Sequence, residues 1–182
     1  MVWQVCGLMA NSLVSVIESA SKMHNIKKAL KWTKNNYVLV GIPQKSTDRP
    51  KSKQKVGITN AELLFIHTNG SPINNVPARP VIEPAIYNDR ERIAKMLSKA
   101  FSLKLEGKNE EAEKQLKLVG MRSQNVCRAW FTNPDNGWSP NAPSVYSNKL
   151  KKGSTDPKPL IDTGELRKSI TYVVVKDGVR VD

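Results

Sequence analysis

The feature that most restricts this chain is a cluster of prolines. Pro72, Pro77, Pro80 and Pro84 all fall shortly after Asn69-Gly70. Each fixes its own φ and drives the residue before it toward extended or polyproline geometry, so a stiff, non-helical strap is predicted. A short helix should lead into it. Thr59 and Glu62 have the spacing of a capping box, in which the hydroxyl accepts from the third amide and the carboxylate accepts from the Thr amide. Gly70 can adopt the left-handed conformation that stops a helix, which places its end near Thr68. Pro84 is read as the first residue of the following helix, where a missing N–H costs nothing.

On both sides of the strap, hydrophobic spacing sorts the chain into elements. From Val5 to Trp32 the residues Leu8, Leu13, Ile17 and Met23 to Leu30 keep helical spacing, with Lys27, Lys28, Lys31 and Lys34 where cations suit the helix dipole. An amphipathic helix within residues 1–35 is predicted. Tyr37-Val38-Leu39-Val40-Gly41-Ile42, closed by Pro43, reads as a strand. Residues 43–57 form an extended loop rich in lysine. Ala85 to Glu106 carries Ile86, Ile93, Met96, Leu97 and Ala100 on one helical stripe, and Gly107 interrupts it. Asn109 is placed as the cap of a second helix with the stripe Ala112, Leu116, Val119, Ser123, Val126, Cys127, Trp130. Together these two form an αα-hairpin.

Asn133 to Pro159 keeps no periodicity and contains five prolines, so residues 133–160 are read as a long loop, held from disorder by Trp138 and Tyr146. Asp162 followed by Glu165 marks another helix start. Ile170 to Val175 is a strand, and Lys176-Asp177-Gly178-Val179 a tight hairpin. The last strand, Val179 to Val181, is short enough that pairing inside an assembly is anticipated. The chain is therefore expected to be a single α+β domain: a small antiparallel sheet packed against a long αα-hairpin, with an N-terminal helix and long loops.

Charge narrows the partners. The 29 Lys and Arg against 16 Asp and Glu give a net charge of +13, which favours polyanions or an acidic protein surface. Lys45, Arg49, Lys51, Lys53 and Lys55, with Lys149, Lys151 and Lys152, are the candidates for contact with DNA; a solvated charged loop has the same composition. Aromatic residues make up 6% and do not interleave with the first basic run, so DNA contact would be by charge and not by base readout. The first seventeen residues carry no side-chain charge, but Gln4, Asn11 and Ser12 make them too polar and the run too short to cross a bilayer. A cytoplasmic origin follows. Cys6 and Cys127 are far apart, and His24 and His67 lack a second ligand at helical spacing, so no metal or cofactor is expected. No phosphate loop, nucleophile elbow or dinucleotide turn is present. Asp162-Thr163-Gly164 has the tripeptide of aspartic proteases, which need two such carboxylates, and this chain has one. It is not expected to be an enzyme.

The motifs Asn69-Gly70-Ser71-Pro72, Val76-Pro77-Ala78-Arg79-Pro80 and Pro159 to Ser169, containing Asp162-Thr163-Gly164-Glu165-Leu166, occur in that order. In this the chain, from about Tyr37 onward, resembles the virion-morphogenesis or tail-completion (neck) proteins of tailed bacteriophages. The resemblance implies a structural protein of the virion that completes the tail and joins the tail tube to the head connector as a ring of six copies. Its partners would be further copies of itself, the tail-tube or tail-terminator and connector or stopper proteins, and genomic DNA in the lumen. Asn69, Gly70, Pro77, Ala78, Arg79 and Pro80 would shape the strap, and Asp162, Thr163, Gly164 and Leu166 the turn before the last strand. Trp138 and Tyr146 would anchor docking. The alternatives are a basic nucleic-acid-binding protein of another kind and a head-side connector or stopper.

Overall fold

A computed structural model describes residues 23–43 and 57–181. The basic loop with Lys45, Arg49, Lys51, Lys53 and Lys55, the early part of the first predicted helix and Cys6 lie outside the described residues. Residues 23–35 are helical and are called α1. There follow β1 (Tyr37–Gly41), α2 (Asn60–Asn69), α3 (Ile82–Asn88), α4 (Arg90–Leu105), α5 (Asn109–Trp130), α6 (Pro143–Lys151), α7 (Glu165–Ser169), β2 (Thr171–Lys176) and β3 (Val179–Val181). The architecture is α+β, with a three-stranded antiparallel sheet in the order β1-β2-β3.

The sheet is built by long-range pairing and closed by a local turn. Tyr37 pairs with Val175 and Gly41 with Thr171, which places Val38 opposite Val174 and Val40 opposite Tyr172 on one face. Asp177 and Gly178 both hold positive φ, at 51° and 80°, as a two-residue hairpin requires. β3 pairs with β2 inside the chain, Val181 opposite Val174 and Val179 opposite Lys176, so this strand needs no assembly to find its partner.

α4 and α5 pack along one another as an αα-hairpin, and the sheet lies against α5. Ala100, Leu116 and Val174 form one buried cluster with Trp32, Val38 and Tyr172 around it. A larger cluster joins Leu64, Val81, Ala85, Cys127, Trp130, Phe131, Leu166 and Ile170. It draws on α2, α3, α5 and α7, and is where the strap enters the core. Burial pushes the Cys127 thiol up to about 11, so it behaves there as a small apolar side chain. Gly120, inside α5, lies under the Tyr172 ring: a Cβ there would meet Cδ2 at 2.1 Å. The helix and sheet approach as closely as they do because this position has no side chain.

Several predicted details are corrected. The helix read over Ala85 to Glu106 is two helices that meet at Asp89. The Asp89 carboxylate is committed elsewhere: Arg122 of α5 donates to its two oxygens at 2.7 and 2.6 Å, which holds the break against the long helix. α3 starts at Ile82, before Pro84, which sits in the first turn, where its missing amide is still harmless. Leu97 of the predicted stripe is exposed, while Gln115 and Gly120 join the buried face of α5. Asn109 does not cap α5; its side chain accepts from Lys104 Nζ at 2.7 Å, and Lys108 precedes the helix without a side-chain cap. In α1 only Ala29 is buried, with Trp32 half-buried; Met23, Ile26 and Leu30 are exposed. The segment 133–160 is no continuous loop, since α6 lies within it and Pro143 serves as its first residue. α6 buries no residue, so it leaves no apolar stripe in the sequence by which to find it.

Candidate functional site

The strap and the distant turn meet. The Thr59–Glu62 capping box forms as predicted: the Glu62 amide donates to Thr59 Oγ1 at 3.2 Å and the Thr59 amide to Glu62 Oε2 at 2.8 Å. The Thr59 hydroxyl also donates to Glu62 Oε2, at 2.9 Å, and the amide and hydroxyl bonds together hold the Glu62 carboxyl below its ordinary value. α2 runs to Asn69, whose side-chain amide donates back to the Phe65 carbonyl at 2.9 Å. Gly70 then stops it, at φ 74° and ψ 176°, a conformation open essentially to glycine alone. A Cβ at Gly70 would meet the Ala78 amide nitrogen at 2.8 Å and the Val76 carbonyl oxygen at 2.9 Å. The chain has doubled back on the helix end.

This doubling back corrects the picture of a strap extended from Pro72 onward. Pro72–Asn74 is a single 3-10 turn, Asn75 is left-handed at φ 52°, and Ser71 pairs with Val76. Proline at the first position suits such a turn as well as it suits an extended chain. The extended part is Pro77 to Pro80. The Arg79 amide donates to the His67 carbonyl at 2.6 Å, which ties this part back to α2.

Arg79 is 7% exposed, and its guanidinium reaches the connector that follows α5. Nε and Nη2 donate to the Ser139 carbonyl at 3.2 and 2.9 Å, and Nη2 to the Pro140 carbonyl at 3.0 Å. Among the described residues no carboxylate pairs with it. Burial alone lowers its pKa. Lys149 of α6 is held in the same manner: its ammonium donates to the carbonyls of Lys158 at 2.7 Å and Ile161 at 2.5 Å. Those carbonyls flank Leu160, a bulky residue kept at φ 57°, so the ammonium fastens the turn at its strained point. Burial lowers the Lys149 pKa, Asp162 opposes the shift, and the like charges of Arg79 and Lys152 add to it.

Between these parts lies a cavity of about 420 Å³. Of the residues singled out from the sequence, Pro77, Arg79, Lys149, Asp162, Thr163, Gly164 and Leu166 line it. Asn69, Gly70, Ala78 and Pro80 are not on the lining. Asp162 does not cap α7, as the sequence had indicated. Gly164, left-handed at φ 78°, precedes the helix, and Thr163 Oγ1 accepts from the Glu165 amide at 3.4 Å. The Asp162 carboxylate instead faces Lys152 at 3.7 Å.

Trp138 is corrected from docking anchor to internal prop. Its indole N–H donates to the Pro80 carbonyl at 3.0 Å, and its ring stands edge-on to Phe131 at 5.6 Å, so both its polar and apolar parts are used inside the chain. Tyr146 is exposed on α6. Lys149 is likewise corrected from a DNA-facing residue to a clamp, while Lys151 and Lys152 stay exposed. Leu63, Asn75, Asn141 and Val145 line the cavity without having been identified, and Glu165, read only as part of a helix start, lines it too. The sequence signal for Val145 was the short Pro143-Ser144-Val145-Tyr146 helix start, hidden among prolines. No protein-family model, curated protein or solved structure matches this chain. Among the described residues no helix is long and apolar enough to cross a membrane, and no group of side chains could hold a metal ion.

Proposed function

We propose that this protein is a structural component of a tailed-phage virion, completing the tail or neck and joining the tail tube to the head connector as an oligomeric ring. The observation that supports the reading is the meeting of the two segments that carry the resemblance. Pro77 and Arg79 of the strap share a cavity wall with Thr163, Gly164 and Leu166 of the turn. Segments so distant in sequence converge on one preformed surface. A subunit made to be built into a particle benefits from such a surface, because rigidity present beforehand lowers the entropy lost on docking. Heterologous contacts between identical copies close into rings when their rotation permits. In this reading the protein carries out no catalysis, and its basic excess faces DNA in the lumen.

The reading is tested by silencing the gene in the phage that encodes it and imaging the lysate by negative stain. DNA-filled heads and unjoined tails are expected, with joining restored by the full-length protein in trans. Normal virions contradict the reading. A purified chain that stays monomeric and binds duplex DNA in the submicromolar range at physiological salt favours a nucleic-acid-binding protein instead.

A further inference from the structure

Two cations face one cavity and neither is in contact with a carboxylate, although Asp162 on the same lining acts on Lys149 through space. Arg79 and Lys149 are each satisfied by backbone carbonyls, and among the described residues neither forms an ion pair. Arg79 Nη1 makes none of these bonds, and it is not sealed from solvent. Lys149 keeps a third N–H beyond its two carbonyls. A buried cation without a counter-charge, as Arg79 is, is costly, and a carboxylate supplied from outside would relieve it while also meeting the half-buried Lys149. The rest of the lining selects the kind of anion. Leu63, Val76, Val145 and Leu160 give apolar walls that match aliphatic side chains. Asp162 and Glu165 on the same lining repel a continuous phosphate backbone, yet tolerate a single carboxylate placed between the cations.

We propose that this cavity receives an acidic side chain on an extended segment of another protein, with Arg79 Nη1 and Lys149 Nζ as its partners and aliphatic neighbours of that acid against the apolar walls. A second copy of the chain fits less well. Its one dense acidic run, Glu110-Glu111-Ala112-Glu113, lies in α5 between Lys108 and Lys114, and Glu113 is already paired with Lys176 at 2.7 Å. The cavity keeps this chemistry whichever assembly the chain enters.

The test is selection of random displayed peptides on the immobilised full-length protein, followed by affinity measurement with one retained peptide. Retained sequences should carry Asp or Glu flanked by aliphatic residues. The synthetic peptide should bind about tenfold less well when its acid is changed to the amide, the effect of one charge-assisted hydrogen bond. The same loss of about tenfold is expected with Lys149→Gln, which removes the charge but keeps N–H donors for the Lys158 and Ile161 carbonyls. Val145→Asn, a change at an exposed position on the cavity wall, should weaken capture by making an apolar wall polar without adding a charge beside either cation. Several outcomes overturn the proposal: no enrichment of acids, equal binding by wild type and both variants, or retained peptides displaced by duplex DNA that itself depends on Lys149. Self-association of the free chain that both variants abolish assigns the cavity to a second copy instead, and also overturns it. Failure of any of these leaves the head-to-tail assay unaffected, so the two readings fail separately.

Discussion

Two arginines divide this molecule. Arg122 crosses from α5 to Asp89 at the junction of α3 and α4, with two short bonds to one carboxylate. Arg79 lies more deeply buried in the strap and meets only carbonyl oxygens. The Arg122 charge is balanced by direct contact with a carboxylate; the Arg79 charge is not. The first arrangement serves the fold and asks nothing of the outside. The second holds a loop in place and leaves the charge available to a guest.

Variants at four positions sharpen this contrast, beginning with the largest effect. Gly70→Ala should cost roughly 3 kcal/mol in urea unfolding, because a glycine-only conformation and contact with two backbone atoms cannot be relieved by a rotamer change. A cost below roughly 1 kcal/mol would mean that the strap does not press on the helix end. Gly120→Ala should cost about 2 kcal/mol despite alanine's better helix propensity, since the Tyr172 ring must move. Tyr172→Ala in the same chain should remove most of that penalty.

Asp89→Asn is placed next, at about 1 kcal/mol near neutral pH, and it also tests charge against shape. The hydrogen bond from Arg122 is the main cause that holds the Asp89 carboxyl below its ordinary value. Stability from a lowered carboxyl is present above the unfolded value and is lost as pH falls through the lower folded value. The difference between wild type and Asp89→Asn should accordingly close in acid, as read from unfolding curves at several pH values. Lys149→Gln is the smallest, within about 0.5 kcal/mol of wild type, because the donors survive and an unpaired charge is lost. If Lys149→Gln cost more than Asp89→Asn, the distinction between the two sides of the molecule would collapse.

How much of this was legible in the sequence depended on whether a local rule decided it. Thr59 and Glu62 obey a capping rule that acts within four residues and form the box as read, while Gly70 stops the helix at positive φ but with an extended ψ of 176° in place of the left-handed conformation expected of it. The α5 stripe was legible because steps of three and four survive burial on one face, while the Asp89 break was not, since no proline or glycine marks it in the sequence. α6 went unread for the opposite reason: a helix that buries nothing has no stripe. Of the cavity, the strap and turn residues could be named, but their meeting could not, because it depends on packing among Leu64, Val81 and Leu166. Trp138 shows the same limit, as an aromatic among prolines gives no sign of whether its partner lies inside or outside the chain.

The central claim is that strap and turn are one rigid unit in the free chain. Amide hydrogen exchange of the isolated chain tests it most directly, at the Arg79 amide bonded to the His67 carbonyl and at the Lys168 amide bonded to the Gly164 carbonyl. Both amides should be protected to within about tenfold of the core of α5, and Gly70→Ala should lower both together. Exchange at Arg79 and Lys168 at the rate of an unstructured peptide, with α5 still protected, would contradict it.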